Sequence, residues 1–262
     1  MAKSKETENK EEAKGASSAF PLFYSEPRPL DSEAHKTLAL KEGLGFGFTD
    51  KVNAVPVNLV EMPQICHHYP IAFSPDANAT PVAILGLRDG ENLFVDKEGK
   101  WAEGAYIPAY IRRYPFIFSE VPESDQLTLC IDFKEGETVQ EGGDKKFFDD
   151  EGKATALASN ALEFCKSYHA AAQRTAEFSK ELLAKDLLIE RQAQIQVGSD
   201  VRINFSGFKI VDEKKLAELD DATFLEWRKK GWLPFLYAHL FSGVQWQSLS
   251  GALSKILEAE KA

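Results

Sequence analysis

The sequence predicts an α+β fold, a mostly antiparallel sheet in the N-terminal half with helices from the C-terminal half packed on it. Two observations carry this reading. Residues 20–135 hold short apolar runs bounded by Gly, Pro, Asp or Asn, the pattern of buried strands. Beyond residue 154 the apolar period lengthens from about two to about 3.6, the pattern of helices packed by one face. Strands that precede helices, rather than alternating with them, belong to the α+β class.

The elements follow in order. Residues 1–19 are polar and low in complexity and predict a disordered tail. Order begins at Phe20-Pro21-Leu22-Phe23-Tyr24, where aromatic residues first cluster. Strand candidates are Gly45–Phe48, Ala54–Leu59, Tyr69–Phe73, Val82–Leu87, Asn92–Val95, Phe116–Phe118 and Leu127–Phe133, with turns at Gly90, Asp96 and Gly99. The stretch 136–153 is acidic and glycine-rich and reads as an exposed, mobile connection. Leu157, Ala161, Cys165, Tyr168, Ala172 and Ala176 then recur every three or four residues, followed by Leu182, Leu183 and Leu187. They mark one amphipathic helix, or two broken near Gln173–Thr175, with Thr155 placed to cap the first turn. Val201–Val211 alternates as a strand and kinks at Gly207. Asp212 or Asp221 each suits the start of a short helix, the second ending at Gly231. The last helix, about Val244 to Glu258, sets Leu249, Leu253, Ile256 and Leu257 on one side. No internal repeat is present, and residues 20–262 read as a single domain, strand-rich to 135 and helix-rich from 154.

Composition limits the function classes. The 262-residue chain carries 31 Lys+Arg against 41 Asp+Glu, a formal net charge of −10. This balance argues against nucleic-acid binding, which draws on cations that neutralise phosphates. A chain of this length buries enough surface to fold without disulfides or a structural metal. Its three cysteines, Cys66, Cys130 and Cys165, are widely spaced and suit free thiols in a reducing compartment. Met1 to Ser18 holds four Lys and four Glu with no apolar core of a signal peptide. No stretch approaches the roughly 20 apolar residues of a membrane helix. A cytoplasmic protein without membrane insertion is expected.

Many catalytic signatures are absent. Gly43-Leu44-Gly45-Phe46-Gly47-Phe48 resembles a glycine-rich loop but places Phe48 where the dinucleotide pattern needs its third glycine. There is no Walker loop, no Gly-x-Ser-x-Gly elbow, no His-Glu-x-x-His and no His-x-Asp/Glu. Of five histidines only His67 and His68 adjoin, and neighbouring side chains on a helix or strand diverge. Neither a cofactor nor a metal is expected.

One constellation stands out. Trp101 to Phe118 carries six aromatics, among them Trp101, Tyr106, Tyr110 and Tyr114, around the string Tyr106-Ile107-Pro108-Ala109-Tyr110-Ile111-Arg112-Arg113-Tyr114-Pro115-Phe116. With Pro108 in the first helical position and Pro115 ending the turn, a helix of about two turns sets the three tyrosines and Arg113 on one side, Arg112 diverging by about 100°. A guanidinium pairs bidentately with carboxylates or phosphates, and tyrosine adds a ring face and a hydroxyl. The competing reading makes these residues core, with an arginine satisfied by Glu61, Glu91, Asp96 or Asp132. A second cluster, Trp232 to Leu240, reads as a helix packed on the sheet, with His239 either part of that packing or pointing into a pocket.

Several strings in this order resemble the bacterial SapC family. They are Pro21-Leu22-Phe23-Tyr24, Glu61 followed by His68-Tyr69-Pro70-Ile71, Leu85-Gly86-Leu87 through Glu91-Asn92-Leu93-Phe94, Trp101, the Tyr106–Phe116 string and Tyr237-Ala238-His239-Leu240. The resemblance runs over about residues 20 to 257. It implies an accessory role in export or assembly of surface-layer and envelope proteins. The occurrence of members beside halogenase-like and outer-membrane receptor genes further implies handling of a small molecule. It carries over no catalytic residue. The candidate ligand contacts are therefore Arg112, Arg113, Tyr106, Tyr110, Tyr114, Trp101, Glu61, His68, Asn92 and His239. The partner is expected to be a small molecule, a peptide or an export-related protein, with a homo-oligomer as a further expectation. The alternative is an enzyme acting on an amino acid, peptide or related small molecule, which requires Glu61, His68 or His239 to converge with Arg112 or Arg113.

Overall fold

Proline and glycine punctuate the first half so densely that its strands stay short. The computed structural model describes residues 20–120, 127–197 and 201–261, and the tail read over residues 1–19 lies outside them. Strands β1 (Pro27–Pro29) and β2 (Leu38–Leu40) precede a 3-10 turn at Gly47–Thr49 and β3 (Ala54–Pro56). A second 3-10 turn, Leu59–Glu61, runs into α1 (Met62–Ile65), then β4 (Ile71–Phe73) and β5 (Pro81–Ile84). Next come α2 (Ala109–Arg113), β6 (Phe116–Glu120), β7 (Leu127–Asp132) and β8 (Val139–Glu141). The long α3 (Ala156–Ala184) leads to the hairpin of β9 (Leu188–Val197) and β10 (Val201–Val211). Four helices follow: α4 (Glu213–Ala217), α5 (Asp221–Lys230), α6 (Leu233–Phe241) and α7 (Gln245–Lys261).

The strands pair antiparallel in three sheets, of order β3-β5-β4-β10-β9, β1-β7-β6 and β2-β8. The architecture is the expected α+β one, with the difference that β9 and β10 of the five-stranded sheet come from the C-terminal half. Alternation along each strand divides that sheet's two faces. Phe73 and Ala83 join the main core with Phe178 and Leu182 of α3, Trp227 of α5 and Leu236 of α6. Ala72 and Ile84, one residue along, pack with Leu249 and Leu253 of α7. The N-terminal half of α3 serves another core, where Ala158 and Cys165 meet Phe116, Ile131, Val139 and Phe147. One helix therefore touches both sheet systems. Among the described residues no helix is long and apolar enough to cross a membrane, and all three cysteines are free thiols.

Several local expectations are corrected. Gly45–Phe48 is a loop entering a 3-10 turn, because Gly45 lies against the backbone of Gly99 and the Phe46 N–H donates to the Gly99 carbonyl at 2.7 Å. Asn92–Val95 forms no strand: the Asn92 carboxamide oxygen accepts from the Phe94 N–H at 2.9 Å and bends the chain. The acidic stretch 136–153, expected to be exposed, contains β8 paired with β2, and it buries Val139 and Phe147. The helix beginning at Ala156 is unbroken through Gln173–Thr175. Thr155 stands at its start but donates its hydroxyl to the Lys146 carbonyl at 2.8 Å instead of accepting from the helix. Asp212 caps α4, accepting from the Lys214 N–H, and Gly231 ends α5 at φ 71°. Asp220, one residue before the expected Asp221, caps α5 by accepting from the Thr223 N–H at 2.9 Å. On α7, Leu249 and Leu253 are buried and Ile256 remains 37% exposed.

Candidate functional site

The tyrosine and arginine string folds more tightly than a two-turn helix. Pro108 sits just before α2 in an extended conformation, not in its first turn, and α2 is five residues long. Tyr114, held extended before Pro115, ends it. The three tyrosines therefore diverge. Tyr110 donates to the Leu22 carbonyl at 3.1 Å and Tyr114 to Asp132 Oδ2 at 2.9 Å, while Tyr106 reaches Glu61 Oε2 at 3.2 Å.

Arg112 and Arg113 part company as the helical rotation requires. Arg113 lies among aromatic rings, 4.4 Å from the centre of Tyr168, 4.8 Å from Tyr110 and 5.5 Å from Tyr24. Its Nε donates to the Tyr24 hydroxyl at 3.3 Å, which itself donates to the Phe116 carbonyl at 2.6 Å. Among the described residues no carboxylate pairs with it. The four acids proposed as its partners are occupied elsewhere. Glu61 caps backbone N–H groups, Glu91 pairs with Arg88, and Asp96 closes its own turn onto the Glu98 and Lys100 N–H groups. Asp132 accepts from the Ser25 and Glu26 N–H groups at 2.8 and 2.7 Å and pairs with Lys134 at 3.2 Å. Burial alone would raise the Asp132 carboxyl, but these donors and Tyr114 hold it below the usual range.

Arg112 faces the other way, into a hollow of about 210 Å³ lined by Val60, Glu61, Tyr106, Ala109, Phe164 and Tyr168, among others. Its Nε donates to the Ile107 carbonyl at 2.9 Å and one terminal nitrogen donates to the Tyr106 hydroxyl at 3.0 Å. The guanidinium also lies 5.4 Å from the Phe164 ring centre. It is exposed, and among the described residues no carboxylate forms an ion pair with it.

Glu61 forms the base of the hollow and is 4% exposed. Its Oε1 accepts from the Asn58 N–H at 2.9 Å, at the start of the preceding 3-10 turn, and its Oε2 accepts from the Ala109 N–H at 2.8 Å, at the start of α2. One carboxylate thus satisfies orphan donors at two helix starts. Burial raises its proton affinity, against the pull of those N–H groups, Tyr106 and the Arg112 charge. Burial, and then the Glu61 charge, raise Tyr106 as well. The relay Arg112 to Tyr106 to Glu61 is therefore a set of hydrogen bonds with each proton assigned, the hydroxyl accepting from the guanidinium and donating to the acid.

The remaining candidates lie apart. Trp101 donates its indole N–H to the Tyr69 hydroxyl at 3.2 Å, and Tyr69 in turn donates to the Tyr106 carbonyl, so Trp101 braces the hollow from behind. Asn92 is buried and donates to the Thr49 carbonyl and hydroxyl. His68 follows α1, half-buried, and burial together with neighbouring His67 lowers its pKa. His239 on α6 is buried: its Nδ1 donates to the Ile71 carbonyl at 2.8 Å and its Nε2 accepts from the Val211 N–H at 3.1 Å. Neither histidine lines the hollow. Among the described residues no three His, Cys, Asp or Glu side chains gather as a metal set.

The SapC family model matches residues 30–249, which include the whole hollow. The chain belongs to the SapC family. No curated protein and no solved structure matches it. In this SapC chain the Tyr106–Phe116 string is the centre of a branching arrangement, Arg113 closing the aromatic interior and Arg112 opening on the hollow. The walls contributed by Val60, Phe164 and Tyr168 went unread in the sequence. Val60 is 57% exposed although apolar, and Phe164 lies one residue before Cys165, which packs into the second core. Only the apolar period of α3, which includes Tyr168, pointed toward them.

Proposed function

We propose that this SapC-family protein binds a small molecule or peptide by its carboxylate, held on Arg112 in the Glu61–Tyr106–Arg112 hollow. One observation carries the reading: Arg112 is exposed at the hollow yet pinned by two hydrogen bonds, with its other N–H groups free of any described carboxylate. A guanidinium already oriented loses little freedom on pairing with an anion. Glu61 makes no direct ion pair with Arg112, because the Tyr106 hydroxyl stands between them and backbone N–H groups bond both of its oxygens. Val60, Phe164 and Ala109 give apolar walls for a small side chain beside the carboxylate. About 210 Å³ suits a compact ligand or one end of a longer one. Such binding fits an accessory role in the cytoplasm, in export or assembly of surface-layer or envelope proteins.

A second reading, an enzyme acting on an amino acid or peptide, is favoured by the convergence of Glu61 with Arg112 and by the raised proton affinity of that acid. It predicts that Glu61→Gln stops turnover while binding persists. The absence of His68 and His239 from the lining weighs for binding alone.

Titration calorimetry with N-acetyl-leucine and N-acetyl-leucinamide tests the proposal. The acid is expected to bind and the amide to bind at least tenfold more weakly, with Arg112→Ala abolishing the difference. Equal affinity for both, or binding untouched by Arg112→Ala, overturns it.

A further inference from the structure

A second cavity of about 540 Å³ lies along α3 and shares Asn58 and Tyr168 with the hollow. Together the two follow one face of the helix, on which Phe164, Tyr168, Thr175, Ser179 and Leu183 recur at helical spacing. Resting on the carboxylate reading above, we propose that the two cavities form one channel for an extended peptide. Its free C-terminal carboxylate sits on Arg112, and its chain runs past Tyr168 to Ser179 and Lys180.

Ser179 points to an occupant most directly. It lines the second cavity, it is 1% exposed, and its hydroxyl is buried without a hydrogen-bond partner. Buried polar groups are nearly always satisfied, and a rotation of the Ser179 side chain toward the cavity lets an N–H or carbonyl of a bound peptide backbone supply what is missing. Ala172 and Ala176 keep the helix surface low between Tyr168 and Ser179 and leave depth for a chain. Charge agrees. The charged side chains lining both cavities are Glu61, Arg112 and Lys180, and Glu61 is committed to the Asn58 and Ala109 N–H groups. Lys180 is exposed and has no ion pair among the described residues. Arg112 therefore receives the anionic chain end, and Lys180, farther along the helix, is left to donate to carbonyl groups of the chain. From Phe164 to Leu183 the helix rises roughly 28 Å, the reach of about eight extended residues.

Fluorescence anisotropy with N-terminally labelled Ala/Leu peptides of two, four, six and eight residues, as free acids and as C-terminal amides, tests the channel. Affinity for the acids is expected to rise at least tenfold from two to eight residues, and amidation to cost at least tenfold at every length. Ala176→Trp, on the exposed surface of α3, fills the second cavity and should erase the gain with length while leaving dipeptide binding unchanged. Length-independent affinity, or a gain that survives Ala176→Trp, overturns the channel and leaves the carboxylate reading standing. Binding indifferent to amidation, or no binding of any free acid, overturns both.

Discussion

Arg113 lies 4.4 Å from the ring centre of Tyr168, whereas Arg112, its neighbour in sequence, meets α3 one turn earlier at Phe164. The same rings thus form a wall between an enclosed cation and an open one. The Arg113 charge is offset by three tyrosine faces and a hydroxyl instead of an acid, an arrangement in which removal of the cation leaves ring faces and a hydroxyl without their partner.

Arg113→Ala is accordingly expected to cost about 2–3 kcal/mol of stability, from lost cation–π contacts and packing. Arg112→Ala should stay within the range of ordinary surface substitutions. Urea unfolding monitored by circular dichroism separates the two, and equal costs would refute the assignment of distinct roles.

His239 joins β4 to β10 where the two strands pair at only Phe73 and Lys209, and burial pushes its pKa down to about 4. The unfolded chain, with a histidine near 6.5, binds the proton more readily, so stability is full above about pH 6.5 and falls as the pH drops toward 4. The loss over that window is about 3 kcal/mol. His239→Gln should be less stable at pH 7 but flatter between pH 6.5 and 4.5. Parallel profiles for the two proteins would contradict this.

Asp132 holds the entering chain at Ser25 and Glu26, Tyr114 and Lys134 through one buried carboxylate. Asp132→Ala leaves those donors without an acceptor and is expected to cost about 3–5 kcal/mol. Because its pKa is lowered in the fold, its contribution is complete above the unfolded value near 4 and lost as pH falls below it. Acid unfolding of Asp132→Asn should therefore show a shallower slope in that range than the parent.

Two glycines give opposite expectations. A methyl group on Gly86 would overlap the Glu91 carbonyl oxygen, so Gly86→Ala should destabilise by several kcal/mol, on the order of 3. Gly251 lies within α7 with open space around it, and Gly251→Ala should stabilise by about 0.5–1 kcal/mol. Thermal melts of both variants provide the check.

What the sequence made legible follows from how local its causes are. Asp212 and Gly231 mark helix ends because a cap and a left-handed turn involve only near neighbours. The association of Glu61, Tyr106 and Arg112 is visible as chemistry, but their meeting with Phe164 depends on how α2 docks against α3, about 50 residues away. Strand β9 escaped notice because its run Leu188 to Val197 is rich in Glu, Arg and Gln, and pairing with β10 rather than apolar content defines it. Asn92 and Asp96 bend the chain by accepting from backbone N–H groups, which overrides the apolar run Leu93 to Val95.

Because a single carboxylate, Glu61, anchors the beginnings of both the Leu59–Glu61 turn and α2, the hollow's foundation and its walls answer to different constraints. Altering the foundation unmakes two pieces of backbone at once. Exchanging the exposed Val60 alters only the contour met by a guest, whereas Phe164 also backs the Arg112 guanidinium. Selectivity in such a frame can drift by wall replacement alone, with the anion clamp left where it stands.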